Sequence, residues 1–182
     1  GGRVLILEGP DNSGKSTLAN AVQGWLGDEY CKVIKSPASI STDWKDEWNY
    51  WLLDHWHDEE KDGVLYILDR TPEVSEPIYA SVYRQGNIRN KLFVDQWIKM
   101  REYSDLQFLF CMQEGDVIEG VELTPDGSDT AIQNDMLVMS YGLMFRMLST
   151  VLNGNNGMAQ FKVAPYSYKG STNEFVQSYI QN

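Results

Sequence analysis

A glycine-rich segment near the N-terminus, LEGPDNSGKSTLA at residues 7–19, constrains this chain more than any other feature. It carries two glycines, a lysine and a serine at fixed spacing: Gly9, Gly14, Lys15 and Ser16. The run Val4–Leu7 before it is apolar and typical of a buried parallel strand, and apolar residues recur at helical spacing after it. A strand, a glycine loop and a helix in this order bring backbone N–H groups and a helix N-terminus to one point. The segment therefore predicts a phosphate-binding loop.

Each residue type in this loop has a physical role in holding a nucleoside triphosphate. The two glycines let the backbone approach phosphate oxygens, because no Cβ intervenes. The Lys15 ammonium can bridge the β- and γ-phosphates of ATP, and the Ser16 hydroxyl can bind Mg²⁺. We therefore expect ATP to be bound by Gly9, Asn12, Ser13, Gly14, Lys15, Ser16 and Thr17.

Length and charge limit the classes of protein that this chain can belong to. A chain of 182 residues with 42% hydrophobic residues can bury one core, which predicts a single domain over residues 1–182. A formal net charge of −11 repels polyanions, so extensive sequence-independent binding to DNA or RNA is disfavoured. No apolar run approaches the ~20 residues of a membrane span, and the N-terminus lacks the features of a signal peptide. We expect a cytoplasmic protein without membrane contact, located in the host cytoplasm if its source is a phage.

Strand-like and helix-like segments alternate along the rest of the chain. Further strands are predicted at Cys31–Ser36, Val64–Leu68, Leu106–Met112 and Gln160–Ala164. Helices are predicted at Asp43–Glu60, Pro72–Gln85, Ile88–Tyr103 and Ala131–Leu152, with a closing helix from Ser171. This alternation predicts an α/β fold with a parallel sheet covered on both faces. Active sites in such sheets form at the carboxyl ends of the strands.

An acid and an arginine, Asp69 and Arg70, follow directly after one of the predicted buried strands. The carboxyl end of this strand would share its edge of the sheet with the glycine loop. Asp69 can hold Mg²⁺ or accept a proton from the attacking group, and Arg70 can clamp a phosphate with two hydrogen bonds. We therefore expect Lys15, Asp69 and Arg70 to be catalytic, with Ser16 and Asp69 as metal ligands.

Two stretches, LILEGPDNSGKST and YILDRTPEVSEPIYA, resemble the thymidylate kinases and the related deoxynucleoside and phage nucleotide kinases of the P-loop superfamily. Those proteins combine an apolar strand, an E-G-x-D-x-x-G-K-S/T loop and a later D-R element followed by Ser and Tyr. The resemblance implies a three-layer P-loop fold with a five-stranded parallel sheet in the order 2-3-1-4-5 and helices on both faces. It also implies ATP and Mg²⁺ as cofactors and a small nucleotide as the acceptor.

The resemblance also assigns residues to the acceptor site. In the family the D-R element acts at the acceptor phosphate and the metal, which places these roles on Asp69 and Arg70. The loop aspartate, Asp11 here, contacts the sugar of the acceptor nucleotide in that family. Ser75 and Tyr79 match the shorter part of the pattern, although one extra residue separates Ser75 from Arg70.

The chain departs from the family in its positive charge. The family places catalytic arginines either in the glycine loop or in a lid after the fourth strand. Here the segment 113–130, the candidate lid, contains six acidic residues and neither lysine nor arginine. Phosphoryl transfer needs positive charge near the transferred group, and we expect Arg84 to supply it, because it follows Tyr79 by little more than one helical turn. The alternative is that Arg84 is a solvated charge at a helix end.

A second departure concerns the acceptor base. The R-E-P element of the family is replaced by residues 35–37, KSP, and a tryptophan-rich segment follows it. Its aromatic residues recur at helical spacing, which is most often a core pattern. The functional alternative is that one ring, such as Trp48, stacks on the base of the acceptor, since such stacking contributes roughly 1–3 kcal/mol.

Three functions remain open at this point. The first is a deoxynucleoside monophosphate kinase that uses dTMP or a modified pyrimidine deoxynucleotide. The second is a P-loop kinase that phosphorylates a hydroxyl of a nucleoside or of hydroxymethyluracil in DNA, the one case in which DNA would be a partner. The third is a non-catalytic nucleotide-binding relative. The resemblance also makes a homodimer plausible, and the Met-rich helix over 136–148 can be either its interface or part of the core.

Overall fold

The computed structural model describes residues 3–10, 13–35, 63–86, 106–112, 129–153 and 161–166. Several predicted segments lie outside these residues: the helices at 43–60 and 88–103, nearly all of the candidate lid at 113–130, and the closing helix from Ser171. The remaining strands and helices can be compared with the structure directly.

The described residues form five strands and three helices. The strands are β1 (Arg3–Glu8), β2 (Cys31–Lys35), β3 (Leu65–Asp69), β4 (Leu106–Cys111) and β5 (Phe161–Tyr166). The helices are α1 (Lys15–Leu26), α2 (Pro72–Tyr83) and α3 (Asp129–Asn153). Helix α1 ends at Gly27, whose φ of 88° few other residues adopt, and α2 begins after an extended Thr71 with proline in its first turn. None of these described helices is long and apolar enough to cross a membrane.

The strands pair in parallel throughout, in the order β2-β3-β1-β4-β5. The prediction of an α/β fold built on a parallel sheet is confirmed. Parallel pairing brings the carboxyl ends of β1, β3 and β4 to one edge, because neighbouring strands run in the same direction. The residues that follow these three strands therefore meet there.

The helices cover both faces of the sheet, because successive side chains of a strand point to opposite sides. One face packs against α2 and α3 through a core that includes Ile6, Leu68, Ile78, Phe108 and Tyr141. The other face packs against α1 through a core that includes Leu5, Leu18, Val22, Ile67 and Leu109. The central strands are buried on both sides, which explains why their sequences are continuous apolar runs.

Candidate functional site

The glycine loop and the Asp69-Arg70 element meet at the carboxyl edge of the sheet. Leu7 of β1 pairs with Asp69 of β3 in the strand register, and the Arg70 N–H then donates to the Leu7 carbonyl at 2.8 Å. One guanidinium nitrogen of Arg70 donates to the Gly9 carbonyl at 3.2 Å. Two motifs more than sixty residues apart in the chain are therefore in direct contact.

The glycine loop is closely packed where it leaves β1. Gly9 has a φ of 146°, and a Cβ added there would lie 2.6 Å from the carbonyl oxygen of Cys111 at the end of β4. Gly14 has a φ of 88° and immediately precedes the first residue of α1, whose N-terminal N–H groups then face the loop. The glycines thus allow two things that side chains would prevent: close approach to β4, and a left-handed turn into the helix.

Lys15 is buried beneath this loop. Its ammonium donates to the carbonyl oxygens of Gly9 and Pro10, at 3.0 and 2.8 Å, and to Ser13 Oγ at 3.2 Å. Burial lowers the pKa of Lys15, the Arg70 charge lowers it further, and nearby carboxylates act in the opposite direction. The loop therefore holds a cation at the point where β1 ends, while Ser16 and Thr17 are exposed in the first turn of α1.

Arg70 adopts an uncommon backbone conformation. Its φ is 74°, in the left-handed region, which costs a residue with a Cβ about 1–2 kcal/mol. Its guanidinium carbon lies 5.1 Å from the centre of the Tyr79 ring, and this ring stacks on Tyr83 at a centroid distance of 5.8 Å. The cation is therefore held between the Gly9 carbonyl and an aromatic face. Strained residues of this kind are concentrated at functional sites.

A buried carboxylate, that of Glu8, lies directly behind the loop. It accepts hydrogen bonds from the Thr71 N–H and the Ser75 hydroxyl, both at 2.6 Å, and Ser75 Oγ is 2.8 Å from the Tyr141 hydroxyl. Burial raises the pKa of Glu8 from 4.5 to about 7, against the effects of these hydrogen bonds and of the nearby cations. The Glu8 carboxyl therefore titrates near neutral pH inside the protein.

Sequence reasoning did not single out Glu8 or Tyr141. The position of Glu8 could have been used to predict a buried carboxylate, because it lies at the end of an apolar strand and directly before the glycine loop. A buried carboxylate requires hydrogen-bond or charged partners. No local sequence pattern could have identified Tyr141, because its contact with Ser75 spans 66 residues.

The predicted acceptor residues Ser75 and Tyr79 and the predicted catalytic residue Arg84, all on or next to α2, have different surroundings. Tyr79 lies beside Arg70, as described above. Ser75 is buried, and its hydroxyl is engaged with Glu8 and Tyr141. Arg84, at the C-terminal end of α2, forms an ion pair with the buried carboxylate of Glu76. Its guanidinium therefore points back along its own helix. Asp11, Asn12 and Trp48 lie outside the described residues.

Comparisons with known proteins give a consistent answer. No protein-family model matches the chain, and no curated protein does. Solved structures do match: a YorR protein from Bacillus subtilis in complex with phosphorylated GDP is 20% identical, with a TM-score of 0.58 over 98% of this chain and 94% of that one. Thymidylate kinase from Candida albicans is 16% identical, with a TM-score of 0.54 over 99% and 90%.

A third solved structure is deoxyadenosine kinase from M. mycoides with bound dATP. It is 13% identical, with a TM-score of 0.56 over 98% of this chain and 97% of the other. Each match extends over almost the whole of both chains, so the similarity includes the sheet and its covering helices. The identities are low, and the similarity therefore concerns the fold. This chain has the fold of the P-loop kinases, as the glycine loop and the Asp69-Arg70 element predict.

Proposed function

We propose that this protein is an ATP-dependent deoxynucleoside monophosphate kinase that acts on dTMP or a modified pyrimidine deoxynucleotide. The observation that carries the proposal is the convergence of two cations on one oxygen. Lys15 Nζ and the Arg70 guanidinium both donate to the Gly9 carbonyl, at 3.0 and 3.2 Å. Positive charge arranged in advance is what phosphoryl transfer requires, because charge on the transferred group is stabilised without further rearrangement.

The proposed ATP site is the loop from Gly9 to Thr17. The N–H groups at the start of α1 would face the phosphates, and the Lys15 ammonium would move from the loop carbonyls to the β- and γ-phosphate oxygens. In the transfer itself, an oxygen of the acceptor phosphate attacks the γ-phosphorus and the bond to the ADP oxygen breaks. The products are ADP and a deoxynucleoside diphosphate.

The metal expected at such a site is Mg²⁺. Oxygen donors suit this ion, and proteins usually hold it through one or two side chains together with substrate phosphates. The exposed Ser16 hydroxyl and the Asp69 carboxylate at the end of β3 fit this donor type. When bound, Mg²⁺ neutralises charge on the phosphate oxygens. We propose Ser16 and Asp69 as its protein ligands.

The proposed acceptor site extends from Arg70 toward α2. Arg70 would bind the acceptor phosphate, and the Tyr79 ring that holds the guanidinium would form one wall. Asp11 and Trp48 remain predicted contacts to the sugar and the base. Ser75 is better explained as a residue that supports Glu8 behind the loop than as a contact to the acceptor, since its hydroxyl hydrogen-bonds with Glu8 and Tyr141. The similarity to thymidylate kinase is consistent with a deoxynucleotide acceptor. An enzyme of this kind would act in the cytoplasm.

The second candidate function is transfer to a hydroxyl, either of a nucleoside or of hydroxymethyluracil in DNA. The similarity to deoxyadenosine kinase, which covers nearly all of both chains, favours this function over non-catalytic nucleotide binding. Transfer to a phosphate and transfer to a hydroxyl differ in what Arg70 does. A phosphate acceptor needs its guanidinium as a clamp, whereas a hydroxyl acceptor brings no phosphate for it to bind.

The test is a transfer assay with γ-labelled ATP and Mg²⁺ against separate acceptors. They are dTMP, the other deoxynucleoside monophosphates, hydroxymethyl-dUMP, the free nucleosides, and DNA with and without hydroxymethyluracil. We expect label in a nucleoside diphosphate and its loss in Arg70→Ala, with Lys32→Ala, an exposed lysine of β2, as the control. Label confined to a nucleoside or modified DNA would establish the second function. ATP binding without transfer to any acceptor would contradict both.

We further propose that α3 forms a homodimer interface. Five large apolar side chains of this helix are 40–57% exposed: Ile132, Met136, Met139, Leu143 and Met147. They lie three or four residues apart and so form one stripe, opposite the buried side of α3 that packs on the sheet. The stripe is self-complementary in an antiparallel pair of helices. Positions 132 and 147 come opposite each other, as do 136 and 143, around a two-fold axis between positions 139 and 140, next to Met139.

Light scattering with size-exclusion chromatography over a concentration series tests this interface. We expect the wild-type mass to be twice 20.8 kDa, and Met139→Glu to give the monomer, because two carboxylates would face each other at the axis. Trp25→Glu, at a 54% exposed apolar position of α1, is the control and should stay dimeric. A monomeric wild type, or a dimer that tolerates Met139→Glu, would contradict the proposal.

A further inference from the structure

A chain of hydrogen bonds crosses three elements behind the candidate site. It runs from Tyr141 of α3 through Ser75 of α2 to Glu8 of β1, with oxygen–oxygen distances of 2.8 and 2.6 Å. All three side chains are buried, at 0, 6 and 0% exposure respectively. The chain therefore connects the long helix α3 to the strand that leads into the glycine loop, with little access to water.

The direction of the hydrogen bonds follows from the number of protons. The Ser75 hydroxyl has one proton, and it donates that proton to Glu8 Oε2. While Glu8 is ionised, the Tyr141 hydroxyl must therefore be the donor to Ser75 Oγ. A donor to a hydroxyl makes that hydroxyl a better donor in turn. Tyr141 thus favours the ionised form of Glu8, although its own hydrogen bond is to Ser75 and not to the carboxylate.

Glu8 is linked to the two cations of the site indirectly, through Gly9 and through Thr71. It directly precedes Gly9, whose carbonyl accepts from Lys15 and Arg70, and its Oε1 accepts from the backbone N–H of Thr71. Thr71 follows Arg70, the residue with the left-handed φ. The carboxylate therefore connects the start of the glycine loop to the backbone that presents the Arg70 guanidinium.

We propose that Tyr141 is a positioning residue of the phosphoryl-transfer site, which through Ser75 and Glu8 fixes the Gly9 carbonyl and the Arg70 backbone. This proposal rests on the proposed function and deepens it. The physical reason is that transfer depends on the placement of charge, and small misplacements of catalytic groups cost large factors in rate. Helix α3 thereby contributes to the geometry of the site without contributing a group that touches the substrate.

The ionisation of Glu8 gives the proposal a distinctive signature. Among the described residues, the titratable groups that interact with the carboxyl include Lys15, Arg70, Cys111 and Tyr141, and burial has the largest effect on its pKa. The hydrogen bond from Ser75 lowers the pKa of Glu8. Weakening that bond by removal of the Tyr141 hydroxyl therefore raises this pKa. If the anion holds the site in order, the acidic limb of activity moves to higher pH.

The experiment compares Tyr141→Phe and Ser75→Ala with wild type and with Tyr66→Phe. Tyr66 is a buried tyrosine of the same core that does not take part in the Tyr141–Ser75–Glu8 hydrogen bonds. Its variant therefore controls for the loss of a buried hydroxyl. We measure kcat and KM as functions of pH, and thermal unfolding. In addition, the chemical shift of the Thr71 amide proton is followed against pH by NMR, because this amide donates to Glu8.

We expect Tyr141→Phe and Ser75→Ala to lower kcat roughly 3- to 10-fold, the range that corresponds to one hydrogen bond. The KM for ATP should change much less. The acidic limb of the kcat–pH profile and the midpoint of the Thr71 amide titration should both move to higher pH. A variant with normal kcat and pH profile but a lower melting temperature would overturn the proposal, because it would show a merely structural role. If Tyr141→Phe does not fold, Ser75→Ala decides by the same criteria.

The two proposals fail in different ways. If wild type transfers phosphate to no acceptor, the proposed function fails, and the Thr71 titration still shows whether Tyr141 controls the ionisation of Glu8. If wild type is active and the Thr71 midpoint is the same in all four proteins, the positioning proposal alone is overturned. A shift in Tyr66→Phe as large as in Tyr141→Phe would overturn it as well.

Discussion

The stability of this protein should depend on pH through one buried carboxyl, that of Glu8. Its pKa is raised from 4.5 to about 7 in the folded state, chiefly by burial. Between these two values the folded protein keeps a proton that the unfolded chain has released. The stabilisation from Glu8 is therefore complete below pH 4.5 and is lost as the pH rises through about 7. Glu8→Gln abolishes this titration.

The size of the effect follows from the two pKa values. Each unit of difference corresponds to about 1.4 kcal/mol, so the shift of Glu8 amounts to about 3 kcal/mol in the free energy of unfolding. This is a large part of the total stability of a typical domain, about 5–15 kcal/mol. We expect the free energy of unfolding of wild type, minus that of Glu8→Gln, to decrease by about this amount across the interval.

Urea unfolding at half-unit steps of pH measures this difference directly. Glu29→Gln, at an exposed position, is the control, because it accounts for the general effect of removing a carboxylate. A difference between wild type and Glu8→Gln that stays constant with pH would refute the reasoning. So would a difference that grows as the pH rises, since it would mean that folding favours the ionised form.

Three further predictions concern the loop and the source of the missing positive charge. Gly9→Ala should destabilise the protein by about 1–3 kcal/mol, since its Cβ would meet a carbonyl oxygen at 2.6 Å. Gly24→Ala, in α1 with no atom within 4 Å of the new Cβ, should instead stabilise the protein by about 0.4–1 kcal/mol. Urea unfolding measures both variants, and equal effects on stability would contradict the packing argument. Lys15→Ala should lower kcat by about 10²-fold or more while Lys32→Ala does not, and equal activities would remove Lys15 from the mechanism. Arg84→Ala should lower kcat if Arg84 supplies the missing charge, and only the melting temperature if its ion pair is structural.

The strands and helices that could be predicted were those with a strong local signal. Apolar runs such as residues 4–7 and 108–112 are predicted as strands because burial on both faces favours apolar side chains. The start of α2 follows from Pro72, because proline is favoured in the first turn of a helix. Single strands can therefore be read from sequence, whereas the partner of each strand is determined by contacts between distant segments.

The candidate site divides in the same way. The glycine loop and the Asp69-Arg70 element could be identified because their spacing, or their position at a strand end, limits the chemistry that they can perform. The left-handed φ of Arg70 could not be predicted, because nothing in the residue type requires it. The ion pair of Arg84 with Glu76 was also missed, although both lie on or beside one helix. Their separation of eight positions exceeds the three- or four-residue spacing of helical pairs.

The sequence by itself determined the alternation of strands and helices, the loop at Gly9–Lys15 and the acid–arginine pair after β3, because these depend on residues that are close along the chain. Only the tertiary structure decided that two cations meet at one carbonyl and that Glu8 is held by Ser75 and Tyr141. Those contacts join segments more than sixty residues apart, and the burial that moves the pKa of Glu8 to about 7 arises only when the helices close over the sheet. Local patterns determine which groups a site can contain, whereas packing determines their distances and ionisation.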